Sequence, residues 1–349
     1  MKTNVLWISI SLLFSRANKV SSVKRLIQVL VFLSGSFLCL SCNAQSRTPL
    51  QVTNQNPFVR IFGLPTAESA KILQSGQETS HISIDWANNF TQGSNPTESI
   101  FIDGESTQLN IRWRYGFDLW EFGVDINYSR YSGGSLDSFI ENWHDFFSLD
   151  NGGREIAQSN QLRYDYSRDG VQQLSFTENH SGFGDTRLTG AYQLQNESRF
   201  DVALRGGIKL PTGKREHFLG SDGVDLNLAL VLGDDVSLQQ YKASYFITAG
   251  VLWTDNGEIL SVYRKNTAFY YSTGFIKDIT DDWQLKLQLD GHSKLYTSNL
   301  PQLGDALQLS IGGSYRLSQD LKLDFAVVED IITDSSSDVN FHISLYNHF

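Results

Sequence analysis

The chain of 349 residues carries 28 basic and 38 acidic side chains, a formal charge of −10, with 12% aromatic residues, 28 glycines and 6 prolines. That acidic balance disfavours nucleic acid as a partner, because its binders present basic patches. The overall hydropathy is too polar for a bundle of membrane-spanning helices.

Residues 1–44 stand apart from the rest. Lys24-Arg25 precede the apolar stretch "LIQVLVFLSGSFLCL" (Leu26–Leu40) and then "SCNAQ". A basic n-region, an apolar h-region and a small-residue exit read as a secretory signal peptide, with cleavage after Ala44. A membrane anchor and a lipoprotein attached through Cys42 are the competing readings. The run is short of the ~20 residues a spanning helix needs, and Cys39-Leu40-Ser41 is a poor approach to a lipidated cysteine. Residues 1–44 hold five basic and no acidic side chains, so their removal leaves 23 basic against 38 acidic, a formal charge of −15. Both cysteines leave with them, which excludes disulfide scaffolds and thiolate metal sites from the exported chain.

Residues 45–78 do not alternate. The stretch "NPFVRIFGLP" (Asn56–Pro65) is expected to enter a barrel as a plug, to lie across its periplasmic mouth, or to serve as a flexible periplasmic lead-in. Residues 79–349 form the remaining unit.

From Ser80 onward the apolar residues fall at every second position, the signature of strands. "QLNIRWRY" (108–115) opposes Leu109, Ile111, Trp113 and Tyr115 to Asn110, Arg112 and Arg114. "WEFGVDINYSR" (120–130), "DLNLALVL" (225–232) and "WQLKLQLDG" (283–291) repeat the pattern. Twelve strands are predicted, near 80–90, 105–115, 118–130, 183–195, 199–211, 223–233, 239–253, 267–279, 282–295, 306–317, 321–331 and 339–349. The hairpin Gln161–Phe176, turning at Arg168-Asp169-Gly170, would raise the count to fourteen. The connections alternate. Short ones (116–118, 195–198, 234–237, 280–282, 318–320) face long ones (88–98, 131–182, 214–222, 254–267, 296–305, 332–338). Short periplasmic turns opposite long extracellular loops mark an antiparallel transmembrane β-barrel, whereas a sandwich has no reason to alternate so regularly.

Within the long connection 131–182, Phe139, Trp143, Phe146 and Phe147 recur at helical spacing in "SLDSFIENWHDFFSL" (135–149). This predicts an amphipathic helix, either a lid over the barrel mouth or a tether for its own loop. Aromatic residues fall in two belts, as at membrane interfaces: Trp113, Tyr115, Trp120, Trp283, Tyr315, Tyr346 and Phe349 near the short turns, and Trp86, Phe90, Tyr128, Trp253 and Tyr296 near the long loops. The polar faces carry Arg112, Arg114, Arg187, Arg205, Lys209 and Lys286, with Arg316 and Lys322. Opposite signs come from Asp125, Asp201, Asp290 and Asp324. Twelve charges lining a lumen must pair or touch water, as salt bridges or as a selective constriction.

The chain ends "NFHISLYNHF" (340–349), with Phe341, Ile343 and Leu345 alternating toward a terminal Phe349. This is expected to be the closing strand, paired with the first so that no edge is left open in lipid. It resembles the C-terminal signature of bacterial outer-membrane proteins, which implies the barrel assembly machinery as a partner; Asn347 departs from the usual apolar residue. "NQNPFVRIFGLP" (54–65), "GFGDTRLTGAYQL" (182–194) and "GIKLPTGKREHFLGSDGVDLNLAL" (207–230) resemble the outer-membrane family "domain of unknown function 3187". That family is similar to the transporters labelled "MetA-pathway of phenol degradation". The resemblance implies a barrel and carries over no activity.

Ser-His pairs such as His342/Ser344 and His81/Ser83 lie on the luminal face without an acyl-hydrolase motif, so no enzyme, metal or cofactor is read here. The expectation is a bacterial outer-membrane barrel surrounded by lipid and lipopolysaccharide, acting as a narrow channel or transporter for small molecules, with apolar solutes as one option. A sealed structural barrel is the alternative, and an outer-membrane acyl hydrolase a more distant one.

Overall fold

The computed structural model describes residues 47–134, 160–196, 199–255, 257–331 and 335–349. Fifteen strands form one antiparallel sheet. In chain order they are β1 (Glu78–Ser94), β2 (Glu98–Phe117), β3 (Trp120–Ser132), β4 (Arg163–Arg168), β5 (Val171–Phe176), β6 (His180–Phe183), β7 (Thr186–Gln195) and β8 (Asp201–Leu210). There follow β9 (Asp225–Asp234), β10 (Ala243–Thr254), β11 (Thr267–Asp278), β12 (Trp283–His292), β13 (Ala306–Arg316), β14 (Leu321–Asp330) and β15 (Val339–His348). Twelve of them close into a barrel: β15 pairs with β1 from Thr79↔His348 to Asn88↔Val339, so no edge remains. The signal peptide and the candidate lid helix with Phe139, Trp143, Phe146 and Phe147 lie outside the described residues.

The barrel is inside out relative to a soluble fold. Ile84, Ile111, Leu228, Ile247, Leu287 and Ile343 are 36–56% exposed on its outer face. Their inward neighbours Ser83, Arg112, Ala229, Thr248, Lys286 and His342 are at most 5% exposed. Such a surface is costly in water and favourable against acyl chains. Sandwich packing is excluded, because a sandwich buries its apolar faces.

Two expectations need correction, and the choice between twelve and fourteen strands falls to twelve. The connection 88–98 is not a loop, because β1 and β2 continue to a tight turn at 95–97, where the Asn95 side chain accepts from the amides of Thr97 and Glu98. Alternation fades there because Asn88–Thr91 are buried throughout. The hairpin Gln161–Phe176 exists as β4–β5, turning on Asp169 and Gly170 at φ 52° and 74°, the left-handed conformations that an Asp-Gly hairpin turn requires. It adds to the extracellular extension of β2 rather than to the ring. Finally, Tyr346 and Tyr296 do not join the aromatic belts. Tyr346 shares the luminal phase of His342 and Ser344 and lies beside His81 and Lys322, and Tyr296 is buried at the extracellular mouth.

A twelve-stranded barrel is too wide for its own side chains to fill. Residues 47–77 fill it. Arg47 starts at the periplasmic end on Asp278 (2.7 Å). The chain climbs past Gln288, which exchanges 2.9 Å bonds with both backbone groups of Leu50, and past Ala326 and Val328, which pack on Leu50 and Val52. At the extracellular end it makes a single helical turn, Pro57–Arg60, capped by the Asn56 side chain on the amide of Phe58 (2.9 Å) with Pro57 at the first position. It then descends to Gly76, whose amide donates to Gly116 of β2 (2.9 Å), and enters β1. At φ 84°, Gly76 makes that corner in a conformation that favours glycine.

Candidate functional site

At the extracellular end, the helical turn sits in an aromatic cap. Phe58 meets Phe218 edge-on at 5.7 Å, and Phe62 meets Tyr296 at 5.4 Å. Tyr131, Tyr164 and Phe176 complete the cluster, and the Arg264 guanidinium lies 4.2 Å from the Phe62 ring centroid. The Tyr296 hydroxyl donates to the Phe58 carbonyl (2.8 Å). Both phenyl rings are fully buried, worth roughly 1.5–3 kcal/mol each.

Directly below lies a charged latch. Lys209 Nζ stands 2.9 Å from Asp185 and 3.1 Å from Asp225, and donates to the Ile61 carbonyl at 2.9 Å. Asp225 also accepts the Gly63 amide at 2.7 Å. Arg187 donates to the carbonyls of Leu64 (2.7 Å) and Phe62 (3.1 Å). A bulge before β7 aims Asp185 inward: Gly184 donates to Asn127 and breaks the strand phase, so Phe183 faces out while Asp185 and Arg187 face in. The three stretches carrying the family resemblance are therefore one site. "NPFVRIFGLP" supplies the plug, "GFGDTR" supplies Asp185 and Arg187, and the third supplies Lys209 and Asp225.

The descending limb carries Glu68 into a second cluster. Its two oxygens take Arg114 (2.6 Å) and Arg205 (2.7 Å). Arg114 also holds Asp125 (2.5 Å), and Arg205 holds Glu121 (2.8 Å). Burial opposes the Glu68 charge, but the guanidiniums of Arg114 and Arg205 outweigh it and hold the carboxyl at about 2. Arg112 meets neutral partners, Nδ1 of His81 at 3.0 Å and the Ser83 hydroxyl. Glu121 and Gln193 bind the amides of Leu73 and Ile72 (both 2.9 Å) near the periplasmic exit.

The remaining predicted luminal charges are placed elsewhere. Lys286 pairs with Asp324 at 3.0 Å, with Lys322 4.0 Å from the same carboxylate. Asp290 accepts from Ser272 and Gln288. Asp201 stands at the periplasmic end of β8. Arg316 pairs with Asp282 on the neighbouring periplasmic turn (3.3 Å), at the rim rather than along the lumen. Phe341, Ile343, Leu345 and Phe349 share the outward phase of the closing strand, with Phe349 56% exposed. His342 Nδ1 is 2.8 Å from Asp85, yet His342 Nε2 and the Ser344 hydroxyl have no hydrogen-bond partner among the described residues, so no nucleophile–base contact exists there. Three cavities flanking the plug measure about 30, 50 and 40 Å³, room for a water or two each.

Glu68, Gly63, Asp185, Asp225 and Glu121 were not among the predicted site residues. Asp185 and Asp225 stood inside the family-like stretches, which was a usable signal. Glu68 lies in a segment without periodicity, and only its docking reveals it.

The family described as "Protein of unknown function (DUF3187)" matches residues 31–349. The chain belongs to this family. No curated protein sequence matches this DUF3187 chain. Among solved structures it is similar to the COG4313 outer membrane channel from Pseudomonas putida F1, at 10% identity and a TM-score of 0.50, covering 80% of this chain and 98% of that one. Weaker likenesses are the NanC porin (9%, TM-score 0.44, 77% and 98%) and the CymD monoaromatic hydrocarbon channel (11%, TM-score 0.38, 86% and 93%). At 10% identity the likeness to the COG4313 channel speaks for the fold. With the outward apolar face, it makes this DUF3187 chain a bacterial outer-membrane β-barrel.

Proposed function

We propose that this barrel is a gated passive channel for small molecules, with residues 47–77 as its gate. The observation that carries this reading is the chemistry of the contact between plug and wall. Outside the aromatic cap and a few small apolar contacts it is charge and hydrogen bonding, from Arg47–Asp278 through Lys209 and Glu68 to Glu121. When a polar segment leaves a polar wall, water re-solvates both surfaces, so the open state lies within reach of the closed one. An apolar contact would oppose withdrawal by roughly 25 cal/mol for each Å² uncovered. Among the described residues, the one large apolar contact of the plug is the aromatic cap, buried at the extracellular end, whose rings would meet a solute once the plug moves and would favour one with an apolar part. The gate is covalently tied to β1 through Gly76, so it can reseat after each opening. Lipid and lipopolysaccharide surround the belt, and the alternating terminus ending in Phe349 is read by the assembly machinery.

A sealed, structural barrel is the second reading, favoured by the small size of the cavities. Planar-bilayer recordings separate the two. The intact barrel is expected to be closed with rare openings, and a variant lacking 47–75 to conduct steadily. A deletion variant that migrates as a folded, heat-modifiable barrel and never conducts would overturn the channel.

A further inference from the structure

We propose that Arg114 and Arg205 form a carboxylate-binding site in the lumen, that Glu68 is its resident stand-in, and that a small carboxylate solute competes with Glu68 to release the plug. The proposal rests on the gated-channel reading, because the site is filled while the plug is seated.

The geometry is that of a receptor rather than a chance pair. Each Glu68 oxygen takes one guanidinium, at 2.6 and 2.7 Å. Each guanidinium is held from behind by its own wall carboxylate, Asp125 for Arg114 and Glu121 for Arg205. Neither hold involves Glu68, so when the plug departs Arg205 loses its bond to the Ser69 carbonyl (2.8 Å) but both guanidiniums keep their wall carboxylates. Pre-oriented, charge-assisted donors of this kind are the ones that select carboxylates.

The freed donors point the same way. At the clamp the wall presents two guanidiniums, Arg114 and Arg205, against two carboxylates, Asp125 and Glu121, while Arg112 and Arg187 stand beyond it, within reach of Asp85, Asp185 and Asp225 as well. Arg112 binds a neutral imidazole and a hydroxyl, and Arg187 binds plug carbonyls. Withdrawing the plug removes the third carboxylate and the carbonyls together. The guanidinium donors that Glu68 and the plug carbonyls occupied are then free in a confined lumen, where an anion from solution is favoured. Space already exists beside the clamp. One cavity of about 40 Å³ touches Glu68, Arg187 and Arg205, and another of about 30 Å³ touches Arg112 and Arg187. Because the aromatic cap lies on the same plug, the favoured ligand is a small carboxylate with an apolar body.

The test reads plug release directly. Ala67 is 4% exposed beside Glu68, so in an Ala67→Cys chain with Cys39 and Cys42 replaced by Ser, a maleimide labels only the released plug. Benzoate is titrated against its neutral isostere benzamide and against inorganic phosphate, on barrels whose folding is shown by heat-modifiable migration. Benzoate is expected to raise the labelling rate saturably, and benzamide to leave it unchanged. Glu68→Gln is expected to label at least about tenfold faster without ligand, as the loss of a charged hydrogen-bond partner implies. Arg205→Gln should lose the benzoate response, with Arg114→Gln as the substitute if that variant does not fold. Equal action of benzoate and benzamide, a response retained without the arginines, or action by phosphate alone would each overturn the proposal. If the deletion of 47–75 conducts but benzoate releases nothing, this site falls and the gate stands. If the deletion never conducts but benzoate releases the plug through Arg205, the site stands and the channel falls.

Discussion

The amide of Gly63 donates to the Asp225 carboxylate at 2.7 Å, and a Cβ at that glycine would come within 2.8 Å of Asp225 Cβ and 3.3 Å of Lys209 Cβ. The plug can approach the wall this closely only because residue 63 has no side chain. Gly63→Val is therefore expected to push the plug off its latch while leaving the barrel intact. The lost bond is one to a charged group, worth about 1.5–3 kcal/mol. Placed in the Ala67→Cys chain, the change corresponds to at least about a tenfold rise in maleimide labelling rate, at an unchanged unfolding temperature on heat-modifiability gels.

Lys209 makes a different prediction. It faces Asp185 and Asp225 at 2.9 and 3.1 Å and is 2% exposed. Lys209→Met leaves two buried carboxylates without their cation, a change that costs about 3–5 kcal/mol when one partner of a buried pair is removed. Unlike Gly63→Val, this variant is expected to lower the barrel's own unfolding temperature as well as to release the plug. Adding Asp225→Asn should recover part of the loss, because one of the two carboxylates is then neutral. A double variant no better than the single one would count against charge as the cause.

The sequence made the barrel legible, and the reason is periodicity. The outer face must be apolar at every second residue wherever a strand meets lipid, so Leu285, Leu287 and Leu289 announce β12 without help from any neighbour. The plug obeys no such rule. It is neither strand nor long helix, and Phe58, Gly63 and Glu68 each answer to a different wall residue far along the chain or across the lumen. Of the twelve charges expected in the lumen, Arg114, Asp125 and Arg205 meet at one point, while Arg316 reaches only the periplasmic rim. Strand phase tells which way a side chain points, not which partner it finds. Tyr346 shows the limit in reverse: its height in the belt was readable, but its inward phase followed from counting back to His342.

Glu68 gives the gate a defined pH dependence. Its seated carboxyl is held at about 2, against 4.5 for an unperturbed glutamate. A depressed value means that the seated form resists protonation, so this contribution to docking is full above about pH 4.5 and is lost as pH falls toward 2. The charges facing Glu68 are Arg112 and Arg114 from β2 and Arg205 from β8, with Asp125 and Glu121 of β3 behind them. The guanidiniums do not titrate in this window. Conductance of the intact barrel is expected to rise between pH 5 and pH 3, and Glu68→Gln to conduct at pH 7 with little change over that window. Identical profiles for the two proteins would remove Glu68 from the gate.

Leu287 tests the solvent on the other side of the wall. It projects from β12, 40% exposed, between Lys286 and Gln288, which are 1% and 2% exposed on the luminal side. If the outer face meets acyl chains, a charge at this height is expelled from hydrocarbon, at about 2–4 kcal/mol near the bilayer midplane. Leu287→Arg is therefore expected to lose the heat-modifiable band in membrane fractions, while Leu287→Val keeps it, since both residues of that pair are apolar. In water the order would reverse, because an exposed arginine is better solvated than an exposed leucine. A Leu287→Arg chain that folds as well as the parent, and stays monomeric in buffer without detergent, would show that no lipid touches this face.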